Sequence, residues 1–311
     1  MAGVWRLSRL APPLQAAEER VTPDLNAEDL RLALPKGRMQ DEVLKLMSDA
    51  GLPVRLGVRA YRPTVGAGRF NAKMLKPQNI IEMLATGSRD VGFAGADWVA
   101  ELGADVVELL DTGFDPVRLI AAAPESLLAD GELPRRRLVV ASEYARLTAA
   151  WIARAGIDAQ FVRSFGATEV FPPEDADLIV DNTATGATLA ANGLRIVDTL
   201  MTSSTRLYAN QAAMDDRARR AAIEGFALLL RSVLDARRRV MVEVNVSADA
   251  LEAVCAALPS MREPTIASLH GNAGFAVKVA VDRVALPTVV PTIKSLGATD
   301  IVITALAQLV P

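Results

Sequence analysis

A short apolar run, a glycine-bearing turn and a helix-periodic segment follow one another repeatedly along this chain. No other feature constrains its fold as much. LRLAL (residues 30–34) leads through Pro35-Lys36-Gly37-Arg38 into residues 40–50, where Val43, Leu44 and Met47 keep helical spacing. Gly51 stands where a C-cap glycine belongs. Residues 77–86 carry another helical pattern, and DVGFAGADWVAEL (90–102) reads as a buried strand turning at Gly95 into a helix. Strands that alternate with helices predict a mainly parallel α/β sheet.

A second α/β segment starts near residue 116. VRLIAAAP (117–124), RLVVAS (137–142), 159–164, 177–180, RIVDTL (195–200) and RLYAN (206–210) read as strands. Residues 143–155 read as a helix stopped by Gly156, and 212–239 as one long helix. The tail changes character: VMVEVNVS, a helix over 248–257, PTIASLH, FAVKVAVD, LPTVVPTIKSLG and TDIVITALAQ follow the order βαββαβ of a ferredoxin-like unit. The expected organisation is an extension over 1–27, one α/β domain from 28–115 and 201–238, a second over 116–200, and the ferredoxin-like domain over 239–311. The extension has arginines but no apolar core of signal-peptide length, and Pro12-Pro13 interrupts it, so it is expected to be disordered.

Composition narrows the chemistry. The net charge is −3, which argues against nucleic-acid and membrane-surface partners. No apolar run reaches 18 residues. The chain has one cysteine, Cys255, and one histidine, His270. That excludes an internal disulfide and a Cys/His zinc site, and it fits a reducing, cytoplasmic setting. Chemistry must run on carboxylates, Lys/Arg, hydroxyls and backbone amides. Cys255 lies on an apolar helical face and reads as core; His270 reads as a surface loop residue.

The stretch DLIVDNTATGATLA (177–190) concentrates such groups. An apolar strand places Asp181 at its carboxyl end, where open α/β sheets bind ligands. Thr183, Thr185 and Thr188 offer hydroxyls, Gly186 permits a tight turn, and a helix start presents free amides. Such a loop suits a phosphate. An ordinary strand–helix turn with a threonine cap is the plain alternative.

ADLIVDNTATGATLAANGL resembles the phosphoribosyl-diphosphate signature of the ATP phosphoribosyltransferase family. LALPKGRMQDEVLKLMSDAGL, DVGFAGADWV, FGATEVFPP, PTIASL and SLGATDIVIT are similar to further family segments in the same order. The chain departs from the family pattern at Lys76, Asn79, Ile80 and Ile81, at Phe171 and at Ala145.

The resemblance implies two periplasmic-binding-protein-like α/β domains around a cleft, with a ferredoxin-like regulatory domain after them. It implies that N1 of ATP joins C1 of 5-phosphoribosyl 1-diphosphate (PRPP), with release of diphosphate, as the committed step of histidine biosynthesis. It implies Mg²⁺, feedback inhibition by histidine, and a homo-oligomer from dimer to hexamer. Asn182, Thr183, Ala184, Thr185, Gly186, Ala187, Thr188 and Leu189 would hold PRPP, with Asp177, Asp181 and Glu169 on sugar or metal. Which of Asp181 and Glu169 meets the metal stays open. Lys36, Gly37, Arg38, Asp90 and Gly95 would serve ATP, a solvated loop being the plain reading of 36–38. Asn245, Thr265 and Ala298 would form the histidine site. Asp97 is expected to cap a helix, Arg118 to be structural, Tyr144 to pack and Trp98 to lie in the core. A two-domain solute-binding protein without catalysis is the alternative.

Overall fold

The structure is a computed structural model that describes residues 30–57, 61–66, 70–259 and 263–311. The expected extension over 1–27 lies outside them. The chain opens with β1 (Leu30–Pro35), α1 (Gln40–Asp49), a small hairpin of β2 (Val54–Arg55) and β3 (Thr64–Val65), and β4 (Phe70–Leu75). α2 (Pro77–Ala85), β5 (Val91–Gly95) and α3 (Ala96–Leu102) follow. The 19-residue β6 (Val106–Pro124) leads to β7 (Leu138–Ser142), α4 (Ala145–Ala155), β8 (Ala159–Arg163), β9 (Leu178–Thr183) and α5 (Ala187–Ala191). β10 (Leu194–Asn210), α6 (Gln211–Asp215) and α7 (Arg217–Arg238) complete the first part.

Eight strands form one sheet in the order β4-β1-β5-β10-β6-β9-β7-β8. The antiparallel pair β6–β10 is its spine and joins two halves. Sequence reading takes 195–200 and 206–210 for separate strands, yet they belong to one, β10. Likewise the strand expected from 117 begins at Val106. Gly113 and Asp115 adopt positive φ (71° and 45°) inside β6, and five register shifts punctuate the β6–β10 ladder. These irregularities bend the ribbon without ending it. The expected long helix also breaks: Asp216 caps α7 by accepting the Arg219 amide at 2.8 Å.

The ladder registers determine where the halves meet. β5 runs towards the middle of the spine, with Gly95 opposite Thr205 and Val91 opposite Ala209. β9 approaches from the other side, with Ile179 opposite Ala122 and Thr183 opposite Arg118. Thr205 in turn pairs with Phe114 and Thr202 with Arg118. The carboxyl ends of both halves therefore converge where β6 kinks.

One face of the sheet carries α2, α3 and α4 over a core that runs through both halves, from Ile80, Ile81 and Leu84 to Val140, Trp151 and Val180. α1 and α7 cover the other face of the first half, burying Leu46, Met47, Phe226 and Leu230. The tail folds separately. β11 (Arg239–Val246), α8 (Leu251–Ala257), β12 (Thr265–Ser268), β13 (Phe275–Asp282), α9 (Leu286–Ser295) and β14 (Thr299–Ala305) give an antiparallel sheet ordered β12-β13-β11-β14, the ferredoxin-like arrangement expected. Val240, Val242, Val244 and Val246 alternate into its own core.

Candidate active site

A cleft of about 290 Å³ opens at the convergence point, lined by Arg38 from the first half and by Glu169, Asp181 and the loop after β9 from the second. The loop shape follows from its residues. Gly186 takes φ 82°, which glycine adopts without strain. Its amide donates to Thr183 Oγ1 at 2.9 Å, and the Ala187 amide donates to Thr185 Oγ1 at 3.3 Å. The threonine hydroxyls thus brace the turn and retain their own protons to donate. The next amides open α5, where the first N–H groups of a helix lack internal partners. Thr183, Ala184, Thr185, Ala187, Thr188 and Leu189 all line the cleft.

Asp181 lies at the base of the loop. Burial pushes its carboxyl up to about 6, against the hydrogen bond from the Asn182 amide, and the carboxylates of Glu169 and Glu143 push further. Thr168 hydrogen-bonds to it and lowers it. Arg38 reaches the cleft from the loop after β1 and pairs with Asp115 at the kink of β6, 3.3 Å away. Lys36 instead lies over the Tyr61 ring, 3.2 Å from its centroid. Gly37 takes φ 83° between them. Arg118 stands beside Thr183 in the ladder and forms no ion pair among the described residues. Sequence reading set it aside because one cation on a strand carries no signal of its neighbours.

Two expected site residues lie elsewhere. Asp177 precedes β9, at its outer end, where Arg136 pairs with it at 2.5 Å and the Val139 amide donates to it at 2.7 Å. The Arg136 hydrogen bond holds its carboxyl below the usual range, against burial. Asp90 precedes β5, at that strand's outer end, paired with Arg31 at 2.5 Å and Arg219 at 3.0 Å. Burial opposes its charge, but the hydrogen bonds from Arg31 hold its carboxyl below the ordinary value. Both aspartates fasten the start of a strand, and neither reaches the cleft. Gly95 does stand at an inner end, where an added Cβ would run into Asp97 Oδ1.

Asp97 is not a helix cap, since α3 starts at Ala96 with Gly95 as its N-cap and no side-chain cap. Its buried carboxylate accepts from Tyr144 Oη at 2.6 Å and Ser203 Oγ at 2.7 Å. Tyr144 Oη accepts in turn from Asn182 Nδ2 at 2.8 Å, and its ring stacks on Trp98 with centroids 4.7 Å apart. Tyr144 is packed as expected, and burial raises its phenol well above the ordinary range. Glu101 of α3 accepts the Arg146 and Leu147 amides at 3.0 Å each, capping α4 of the other half. The two halves are thus tied together directly beneath Asn182.

In the tail, Asn245 faces Thr299 across β11–β14 and donates to Asp300 Oδ2 at 3.0 Å. Buried Ala298 adjoins Thr299. Thr265 lies on β12, on the far side of β13, paired with Lys278 while Asn245 pairs with Ala276. One chain alone does not bring Thr265 beside Asn245.

A two-lobed α/β fold with a hydroxyl-rich loop and a half-buried carboxylate at the converging strand ends places the chain in the class of α/β proteins with a polar cleft between two lobes. The family model for ATP phosphoribosyltransferase matches residues 76–232, and that for the family's C-terminal domain matches residues 236–308. The ATP phosphoribosyltransferase of Chlorobaculum parvum is 36% identical over 277 residues, covering 88% of this chain and 94% of that protein. The one from Pelotomaculum thermopropionicum is 34% identical over 289 residues, 91% and 99% of the two chains. Among solved structures, a chain of the Thermotoga maritima ATP phosphoribosyl transferase (HisG:HisZ) complex superposes with a TM-score of 0.59 at 24% identity, over 66% of this chain and 98% of that one. The chain belongs to the ATP phosphoribosyltransferase family, in its long form with a C-terminal domain. These matches do not favour a solute-binding protein without catalysis.

Proposed function

We propose that the cleft holds PRPP with its 5′-phosphate in the loop of residues 183–188, and that N1 of ATP displaces diphosphate from its ribose C1. The loop carries this reading: its hydroxyls, its helix-start amides and Arg38 gather phosphate-binding groups at one place. Anchoring the phosphate fixes the ribose, which converts an encounter into a positioned attack. Asp181 stands where positive charge develops at an oxocarbenium-like C1. Held among carboxylates and largely buried, it stabilises that charge more than it would in water. Asn182, positioned by Tyr144, completes the ribose end. Adenine N1 is already nucleophilic, so no dedicated base is needed.

No group of three or more His, Cys, Asp or Glu side chains among the described residues is arranged to hold a metal. Asp181 and Glu169 are hard oxygen donors, a set that suits Mg²⁺, which keeps waters and binds through one or two carboxylates plus substrate phosphates. When bound there, Mg²⁺ would neutralise the leaving diphosphate. No helix among the described residues is long and apolar enough to cross a membrane, and we place the protein in the cytoplasm. We take residues 28–115 with 201–238 and residues 116–200 as the two closing domains, and 239–311 as a histidine-sensing domain acting within a homo-oligomer. Diphosphate release from ATP and PRPP with Mg²⁺ tests the reading. Turnover that disappears in Thr185→Val and Thr188→Val supports it, and a loop variant with unchanged KM for PRPP refutes it.

A further inference from the structure

A second cavity, of about 360 Å³, lies between the two halves of the sheet on the α2–α3 side. Lys76, Gln78 and Trp98 line it from the first half, and Glu143, Arg163 and Phe165 from the second. It adjoins the loop cleft: Ser164 in its wall lies 2.8 Å from Thr168 through their hydroxyls, and Thr168 hydrogen-bonds to Asp181. Two features of this cavity have no protein partner. Gln78 Oε1 is buried without a hydrogen bond among the described residues. The amide orientation is set by its other end, since Nε2 faces Glu143 Oε2 at 3.5 Å. Phe165 is 87% exposed at the cavity wall. An orphaned acceptor beside an uncovered aromatic ring describes a planar ligand that donates from its edge.

We infer that this cavity takes the purine of the nucleotide and that Gln78 Oε1 accepts the 6-amino group of adenine. The inference rests on the functional reading above and adds how the base is chosen. Adenine carries that amine next to N1, so an acceptor for the amine also holds N1 within the cavity that adjoins the ribose cleft. Guanine presents an oxygen at the same edge, and two acceptors would face each other without a proton between them. A base lacking the amine leaves Gln78 Oε1 orphaned, as it is now. Lys76 and Arg163 make no ion pair among the described residues and leave two cations for the nucleotide phosphates. Of the three acids in the wall, Glu82 accepts from Asn79, Glu101 accepts from the α4 amides, and Glu143 faces Gln78 Nε2.

The test compares the KM for ATP with the inhibition constant of purine riboside 5′-triphosphate, which keeps N1 but lacks the amine, as a competitor of ATP in the full chain with PRPP and Mg²⁺. The wild type is expected to prefer ATP over the analogue by about tenfold or more in binding. Gln78→Met and Gln78→Leu, both good helix formers, should bring the preference to within about threefold while leaving KM for PRPP unchanged. If either folded variant keeps the wild-type preference while the wild type turns over, the inference is overturned and the functional reading stands. A wild type that releases no diphosphate from ATP and PRPP overturns both.

Discussion

Asp181 is costly to the fold. Its carboxyl titrates near 6 instead of 3.8 because burial and two neighbouring carboxylates disfavour its charge. Below pH 4 the group is protonated whether the chain is folded or not, and it costs nothing. As pH rises towards 6 the unfolded chain loses this proton first, so stability falls; above 6 the whole cost remains. Two pKa units amount to roughly 3 kcal/mol, and partial exposure brings this to about 1–2 kcal/mol. Asp181→Asn should therefore raise the melting temperature by a few degrees at pH 8, leave it unchanged at pH 4, and lower kcat about a hundredfold or more. Melts across pH 4–8 beside turnover assays read both effects, and equal melting temperatures at pH 8 would sink the argument. Glycines differ for a related reason. Gly95→Ala has an ordinary φ of −75° but drives its methyl into Asp97 and displaces that carboxylate from Tyr144 and Ser203. We expect a loss of about 2 kcal/mol or more in urea unfolding. Gly225→Ala in α7 meets nothing within 4 Å and should gain about 0.5–1 kcal/mol in the same assay.

At the level of elements, the legible parts were those written in one continuous segment. The hydroxyl-rich loop after β9, Gly186 included, is contiguous, so its chemistry shows in the string of residues. The start and end of a strand look alike in sequence, however. Asp90 and Asp177 each stand one residue before a buried strand, and only the ladder registers show that these are the outer ends. The β6–β10 spine was divided in the reading because Gly113, Asp115 and Pro116 resemble a loop, whereas the sheet absorbs them as a kink. Gln78, Tyr144 and Glu101 gain their meaning from contacts across 45 to 65 positions, which no local pattern encodes. The tie between α3 and α4 gives a prediction at this scale. Tyr144→Phe leaves Asp97 and Asn182 short of a shared partner in a buried place, at a cost of about 1–3 kcal/mol. Asn182 loses its anchor, so KM for PRPP should rise several-fold while KM for ATP changes less. A variant whose stability and KM for PRPP both match the wild type would remove the tie from the account.

In the whole molecule, the tail has its own valine core and joins the catalytic part through few links. β11 continues directly from α7, and the Leu309 amide donates to the Ser232 carbonyl at 2.9 Å. α7 is also the helix that packs on β1 and β6 in the first half of the sheet. A signal from the tail therefore has a short physical route through the end of α7, beside the Gln308 contact with the Asp49 carbonyl, to the spine whose kink pairs with Arg38 at the cleft. Coupling of this kind needs two arrangements of the molecule that histidine binds unequally. We expect free histidine to inhibit the full chain and to lower turnover with little effect on KM for PRPP. A chain ending at residue 239 should retain measurable diphosphate release and lose the response to histidine, since Asn245, Thr265 and Ala298 are gone. Initial rates of both forms across a histidine titration make the comparison, with thermal melts confirming that the shortened chain is folded. Inhibition that persists in the folded shortened chain places the sensor outside residues 240–311.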